Sequence, residues 1–333
     1  MMEFPFPVLL CDVGGTNARF SLLRAPHGTP EHGPGVKTRQ FTAFEHALAA
    51  ALPAIRAKPR SLILCAAGPV IGRAIKLTNA SWIIEGTKIA AEIGLDQGLL
   101  LNDFEAQAFS LPFIKPAWTV PIGEPAPALP GSRLIMGLGT GLGVAALANA
   151  AGKYIAIPSE AGHMDFGPLQ PEEWALWPYF DKAPFGRLCA EAILSGQGLM
   201  RLHLARSAVS GIAASVTDEV ALIAAAKQNP RSTEAETLRL CWRLAGRFAG
   251  DLALAFVAKG GVTFGGGILP RMAEFCDPKE FRAAFENKAP YEELLAGIGT
   301  RLIVAENTVF AGMAAIASAP QDFAIDYASR AWR

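Results

Sequence analysis

"DVGGTNARF", residues 12–20, stands between two strand-like runs, PVLLCDV (7–13) and NARFSLL (17–23). A hairpin needs the glycines of this turn but not its aspartate, threonine or arginine. A glycine-rich turn lets backbone N–H groups approach phosphate oxygens, and a threonine hydroxyl adds a donor. Gly14, Gly15, Thr16 and Asn17 are therefore candidates for holding phosphate. Asp12, at the mouth of the turn, is placed to hold Mg²⁺ directly or through water, because hard cations take carboxylate oxygens. An aspartate that merely caps the turn explains the same residue, and the local residues leave both readings open.

Working outward, a third strand is expected over 36–42 and a helix over 43–57, followed by the apolar strand SLILCAA (61–67). A helix at 86–93 and a strand at 98–103 continue the pattern, which suggests a mixed sheet flanked by helices. Six prolines between Pro112 and Pro130 mark an irregular passage between domains. The grammar then restarts with strands at 132–138, 143–150 and 153–158. Helices are expected over 217–228 and 232–258, short strands at 261–264 and 300–304, and a last helix over 308–318. GLGTGLG (137–143) echoes the opening turn, with Thr140 in the place of Thr16, which suggests two similar halves facing each other.

At 333 residues the chain is long for one core, so two domains are the default. A hydrophobic share of 51% with 18% charged residues suits a well-buried enzyme and excludes a disordered chain. Thirty basic residues balance thirty acidic ones, without the basic stripe of a nucleic-acid reader. The five cysteines are odd in number and widely spaced, which argues against a disulfide framework and a local zinc site. The N-terminus lacks the lysines of a signal peptide, and no apolar run is long enough to span a bilayer. A cytoplasmic protein without nucleic-acid or membrane partners is expected.

Neither glycine turn fits the better-known phosphate motifs. The chain has no G-x-x-x-x-G-K-[ST], and Gly137, Gly139, Gly141 and Gly143 lack the G-x-G-x-x-G spacing. LLLNDFEAQAF (99–109) ends an apolar strand in Asn102-Asp103 and then turns helical. At the carboxyl end of a strand, Asp103 is placed to accept a proton from a substrate hydroxyl while Asn102 orients that substrate. An N-cap pair would give the same residues. SEAGHMDFGP (159–168) gathers Glu160, His163 and Asp165 around a glycine, a poor metal site but a good hydrogen-bonding set for a polyhydroxy ligand. Glu191 opens EAILSGQG (191–198) and by itself reads as a surface residue. GGVTFGGGILP (260–270) is a strand meeting Gly265, Gly266 and Gly267, which suits close approach of a base or ribose.

Together these stretches resemble the bacterial glucokinases without a zinc motif, within the sugar kinase/actin/Hsp70 superfamily, from about Leu9 to Met313. The resemblance implies two ribonuclease-H-like (actin-like ATPase) α/β domains with mixed sheets flanked by helices, the active site in the cleft between them. The division expected is 1–113 plus 308–333 for the small domain and 114–307 for the large one. It implies ATP and Mg²⁺, glucose as acceptor, phosphoryl transfer to the 6-hydroxyl with Asp103 as the base, and a homodimer. Sugar contacts carried over are Asn79, Asn102, Asp103, Glu160, His163 and Glu191. Phosphate and nucleotide contacts are Asp12, Gly14, Gly15, Thr16, Asn17, Gly139, Thr140, Gly141, Gly265, Gly266 and Gly267, with Asp12 also on the metal. Ser159 and Ala161 stand where the family has glycine, and the tail AIDYASRAWR (324–333) has no assigned place.

The rivals are another hexose or N-acetylhexosamine kinase, a ROK-type repressor and an actin- or Hsp70-like nucleotide switch. The first typically carries a cysteine-rich zinc motif, yet no cysteine lies between Cys65 and Cys189. The second needs a DNA-binding segment ahead of a phosphate loop that here begins at residue 12. The third has no use for Asn102-Asp103 beside a Glu/His sugar pocket.

Overall fold

The computed structural model describes residues 2–78, 81–180 and 186–332. Its strands, in chain order, begin with β1 (Val8–Val13), β2 (Asn17–Leu23), β3 (Glu31–Lys37), β4 (Ser61–Ala66) and β5 (Val70–Ile71). Next come β6 (Ala74–Lys76), β7 (Ile83–Glu85), β8 (Gln97–Asn102), β9 (Thr119–Pro121) and β10 (Arg133–Leu138). The last are β11 (Leu142–Ala150), β12 (Lys153–Ser159), β13 (Val262–Gly265), β14 (Thr300–Ile303) and β15 (Ala331–Trp332). The mixed α/β architecture read from the sequence is what the chain adopts.

Two compact units result. The first comprises Met1–Lys115, Leu147–Ile157 and Ala305–Arg333. Its main sheet has the order β15-β8-β4-β1-β2-β3, with β4 central and parallel to both β1 and β8. Such doubly covered parallel strands read as continuous apolar runs, as Ser61–Ala66 does, with every residue buried. Phe20, Phe44, Trp82 and Trp332 pack in the core on one side of it. The strand expected at 36–42 lies earlier, at Glu31–Lys37. Gly33, Pro34 and Gly35 disguise it, and Pro34 is tolerated because β3 is the sheet's edge.

The second unit comprises Pro116–Ala146 and Pro158–Val304. Its sheet runs β12-β11-β10-β13-β14-β9, with β13 parallel to β10 and β14. The 23-residue helix Thr233–Ala255 starts where the Ser232 hydroxyl accepts the Ala235 N–H. It buries Trp242 and Phe248 in a core shared with Phe264, Phe281 and Phe285. The helix Gly196–Ser210 is capped by Ser195 and closed by Gly211 at φ 67°, and its first turn holds two glycines. Among the described residues no helix is long and apolar enough to cross a membrane.

The sequence division places residues 147–157 in the large domain, whereas this end of the β11–β12 hairpin groups with the first unit. The Tyr154 ring packs against Phe113 and Phe323, and the Tyr154 carbonyl accepts the Ala324 N–H at 2.8 Å. The aromatic tail also finds its place: β15 pairs antiparallel with β8, setting Ala331 opposite Leu99 and Trp332 opposite Gly98.

Candidate active site

In the first unit, three strands converge on the acids. Asp12 on β1 pairs with Cys65 on β4, and Ala66 on β4 pairs with Asn102 on β8, so these residues meet at the carboxyl ends of parallel strands. Asp12 also lies directly across the hairpin from Arg19, whose guanidinium reaches its Oδ2 at 3.2 Å. The Cys65 thiol donates to the other oxygen at 3.6 Å. Burial nevertheless raises the Asp12 carboxyl above the usual carboxylate range, against the lowering pull of Arg19.

Asp103 is the first residue of the helix Asp103–Ser110. Burial first, and then the charge of Asp12, push its carboxyl up to about 6, while the N–H groups of the helix start pull the other way. Both acids also drive up the Cys65 thiol, after burial itself. The two carboxylates thus act on one small volume at the sheet end.

Asn102 has the structural part of its two possible roles. Its Oδ1 accepts the N–H groups of Phe104 (3.0 Å) and Glu105 (3.2 Å), and its Nδ2 donates to the Gly68 carbonyl at 3.2 Å. Glu105 reciprocates by accepting the Asn102 N–H at 3.2 Å, a complete capping box. The acceptor oxygen is committed to the helix start, so the cap is formed. Asn79 lies outside the described residues.

The turn Gly14–Asn17 is held from β3's far end: Thr38 donates its N–H to the Thr16 carbonyl and its hydroxyl to the Gly14 carbonyl, both at 3.0 Å. Lys37 Nζ donates to Asn17 Oδ1 at 2.8 Å. Thr38 and Lys37 went unread; their signal is hydrogen bonding across β2–β3, which needs β3's true register.

In the second unit the two other glycine clusters lie side by side. β10 and β13 run parallel with Gly137 opposite Gly265, so Gly139–Gly141 and Gly265–Gly267 leave adjacent strand ends. The Gly139 carbonyl accepts the Gly196 N–H at 2.9 Å, and the Leu138 carbonyl accepts the Ile268 N–H at 3.2 Å. Gly266 takes φ 86°, a left-handed conformation that side chains rarely adopt.

The polar set occupies two segments of this unit that hydrogen-bond to each other. Ala190 donates its N–H to the Met164 carbonyl at 2.9 Å, and Phe166 donates to Leu188 at 3.1 Å. His163 and Glu191 are thereby brought to neighbouring segments. The Glu160 side chain is 94% exposed and that of His163 41%, with the His163 Nε2 3.9 Å from the Glu160 carboxylate. Ser159, the departure from glycine, braces its own loop, since its hydroxyl accepts the Ala161 N–H at 3.1 Å. Asp165 pairs with Arg187. Glu191 is not a plain surface residue, since its Oε2 accepts the Leu142 N–H at 2.9 Å.

Among the described residues no group of three or more His, Cys, Asp or Glu side chains is disposed to hold a metal. Any metal here would lean on Asp12, phosphate oxygens and water, the usual manner of Mg²⁺. Asp12 and Asp103 offer hard oxygen donors of the kind such a cation takes.

Two mixed α/β sheets flanked by helices, each with its own glycine-bearing strand ends, are the architecture of the actin-like ATPase fold to which sugar kinases belong. The family model described as Glucokinase matches residues 9–320. A glucokinase of Sinorhizobium medicae is 40% identical over 332 residues, covering 99% of this chain and 98% of that protein. The crystal structure of a glucokinase from an Antarctic psychrotroph superposes with a TM-score of 0.80 at 29% identity, covering 93% of this chain and 98% of that one. A Balamuthia mandrillaris glucokinase solved in complex with glucose gives 0.79 at 20% identity, with 93% of each chain covered. The chain belongs to the glucokinase family, and its activity is that of a glucose kinase.

Proposed function

We propose that the chain transfers the γ-phosphoryl group of ATP to the 6-hydroxyl of glucose with Asp103 as general base. The observation that carries this reading is the Asp103 carboxyl, held at the start of a capped helix and tuned to about 6. A base with that affinity is ionised at neutral pH yet basic enough to take a proton in the transition state. As O6 attacks the γ-phosphorus its proton passes to Asp103, and the bond to the ADP oxygen breaks. The protein's part is otherwise positioning and charge stabilisation.

In this reading Asn102, Asp103, Glu160, His163 and Glu191 bind the sugar hydroxyls, Asn102 while also capping the Asp103 helix. Gly14, Gly15, Thr16 and Asn17 in the first unit, and Gly139, Thr140 and Gly141 in the second, offer N–H and hydroxyl donors to phosphates. Gly265, Gly266 and Gly267 leave room for the adenosine. Asp12 would hold Mg²⁺, which when bound neutralises charge building on the phosphates. A homodimer, the cytoplasm as its compartment and membership of the group without a zinc motif complete the proposal.

The test is Asp103→Asn assayed with ATP and a panel of hexoses while ADP release is followed. A loss of about 10²–10⁴-fold in turnover, with glucose binding retained, is expected. Turnover within a few-fold of the parent removes Asp103 from the role. Faster ADP release with another hexose than with glucose would instead move the substrate assignment.

A further inference from the structure

The cap on the Asp103 helix does not end at Glu105. One Glu105 oxygen accepts the Asn102 N–H at 3.2 Å, and both oxygens accept from a single nitrogen of Arg330, at 2.7 and 2.8 Å. The Glu105 side chain is 8% exposed, a depth at which a carboxylate needs a charged partner. That partner comes from the far end of the chain. Arg330 closes the short helix Tyr327–Arg330, which begins where Asp326 accepts the Ser329 N–H. The Tyr327 hydroxyl ties this helix to the Pro320 carbonyl at 2.8 Å.

The two residues after Arg330 are β15, laid antiparallel on β8, the strand that ends in Asn102. Trp332 is 2% exposed and lies over Gly98 so closely that a Cβ there would fall inside the indole. The tail therefore grips both sides of Asp103: the strand that leads into it and the helix that leads away.

We propose that Arg330 is a positioning residue for Asp103. The guanidinium fixes the Glu105 carboxylate; Glu105 fixes the Asn102 N–H and so the capping box; the box sets the first turn, whose leading residue is Asp103. Without the guanidinium, Glu105 turns towards water, the Asn102 N–H loses its acceptor, and the first turn no longer holds the base in one orientation. This inference rests on Asp103 acting as the base. The contrary account is that the tail merely covers β8, in which case its loss lowers stability and leaves the chemistry of folded enzyme unchanged.

The experiment is steady-state kinetics on Arg330→Ala, Arg330→Lys, Glu105→Gln, the Arg330→Ala/Glu105→Gln double variant and Asp103→Asn, each well below its own melting midpoint. Arg330→Ala should lower kcat roughly ten- to a hundredfold, the cost of a misplaced reacting group, with the KM for ATP within twofold of the parent. Arg330→Lys should fall between the parent and Arg330→Ala, because a lysine keeps the charge but its ammonium is more strongly hydrated and carried on a more flexible stem. The double variant should be no slower than the slower single, since both act through one contact. Parental kcat in Arg330→Ala, or losses that simply multiply in the double variant, would overturn the proposal. Should Arg330→Ala fail to fold, Glu105→Gln decides alone: an unchanged kcat sinks the idea, and a lowered kcat at constant ATP KM supports it. Asp103→Asn separates the two inferences. An active Asp103→Asn removes the base reading itself, whereas an inactive one beside a fully active Arg330→Ala removes the role of Arg330 only.

Discussion

Glu191 accepts the backbone N–H of Leu142 at 2.9 Å, and its carboxylate fills the space that a side chain at Gly141 would need. A residue proposed to bind sugar is thus also a strut of the second glycine turn. Glu191→Ala should therefore raise the KM for ATP as well as for glucose, each by about tenfold, the scale of a lost hydrogen bond to a charged group. Initial-rate kinetics with either substrate varied check this. A change confined to glucose would leave the strut without effect on the nucleotide.

His163 is partly open to solvent, its side chain 41% exposed. His163→Ala should accordingly raise the glucose KM strongly, move the ATP KM less, and leave the melting curve close to the parent's. Discrimination among glucose, mannose and 2-deoxyglucose should blur, because a site that hydrogen-bonds hydroxyls rejects analogues that leave its polar groups unpaired. A lowered melting point with the sugar ranking intact would make His163 a structural residue.

The acidity of Asp103 gives two pH effects of opposite sense. With its carboxyl at about 6, kcat/KM should fall about tenfold per unit as pH drops below 6, as protonation removes the base. Stability runs the other way. The folded-state value lies above the unfolded value of about 3.9, so the folded protein binds this proton more tightly. The penalty of ionised Asp103 is present in full above pH 6 and fades as pH falls towards 4. Asp103→Asn should hence be more stable than the parent at pH 7.5, by up to about 2–3 kcal/mol, and lose that advantage near pH 4. Urea melts at both pH values are the measurement, and a less stable variant at pH 7.5 contradicts it.

Asp12 is tied to an exposed arginine rather than to a buried one, its partner Arg19 being 48% exposed. Asp12→Ala should cost little stability, since a pair with so exposed an arginine contributes about 0–1 kcal/mol and burial already disfavours the ionised Asp12 carboxyl. The Mg²⁺ concentration for half-maximal rate should rise by roughly tenfold, with the glucose KM nearly constant, as loss of a charged ligand contact implies. An unchanged magnesium requirement removes Asp12 from the metal.

Much of this was legible in the chain because it is local. Asp12 and Arg19 flank one short turn, so hairpin pairing alone sets them opposite each other. Asn102, Asp103 and Glu105 spell a capping box in four residues. The glycine clusters follow apolar strands and mark strand ends by that sequence alone. What escaped depends on pairing across long separations. Gly98 reads as a weak point in a strand until Trp332 arrives over it, and Arg330 has no visible meaning until β15 lies on β8. Glu31–Lys37 escaped for the opposite reason, because an edge position permits glycines and a proline that a central strand would refuse. Tyr154 shows a third way: its strand follows β11 in sequence, yet its ring and carbonyl meet Phe113, Phe323 and Ala324, residues far from it in the chain but in the same unit.

The lateral order β15-β8-β4 has a consequence for biosynthesis. β15 is made after every other strand of its sheet, so on the ribosome β8 waits with one row of backbone N–H and C=O groups unpaired. Its residues, Gln97–Asn102, include three successive leucines, and open apolar edges are templates for pairing with other chains. During that interval a nascent copy is exposed to self-association in proportion to local concentration, as on a polysome. A translational pause placed after residue 326 would lengthen the exposure, which lasts until Ala331 and Trp332 reach Leu99 and Gly98.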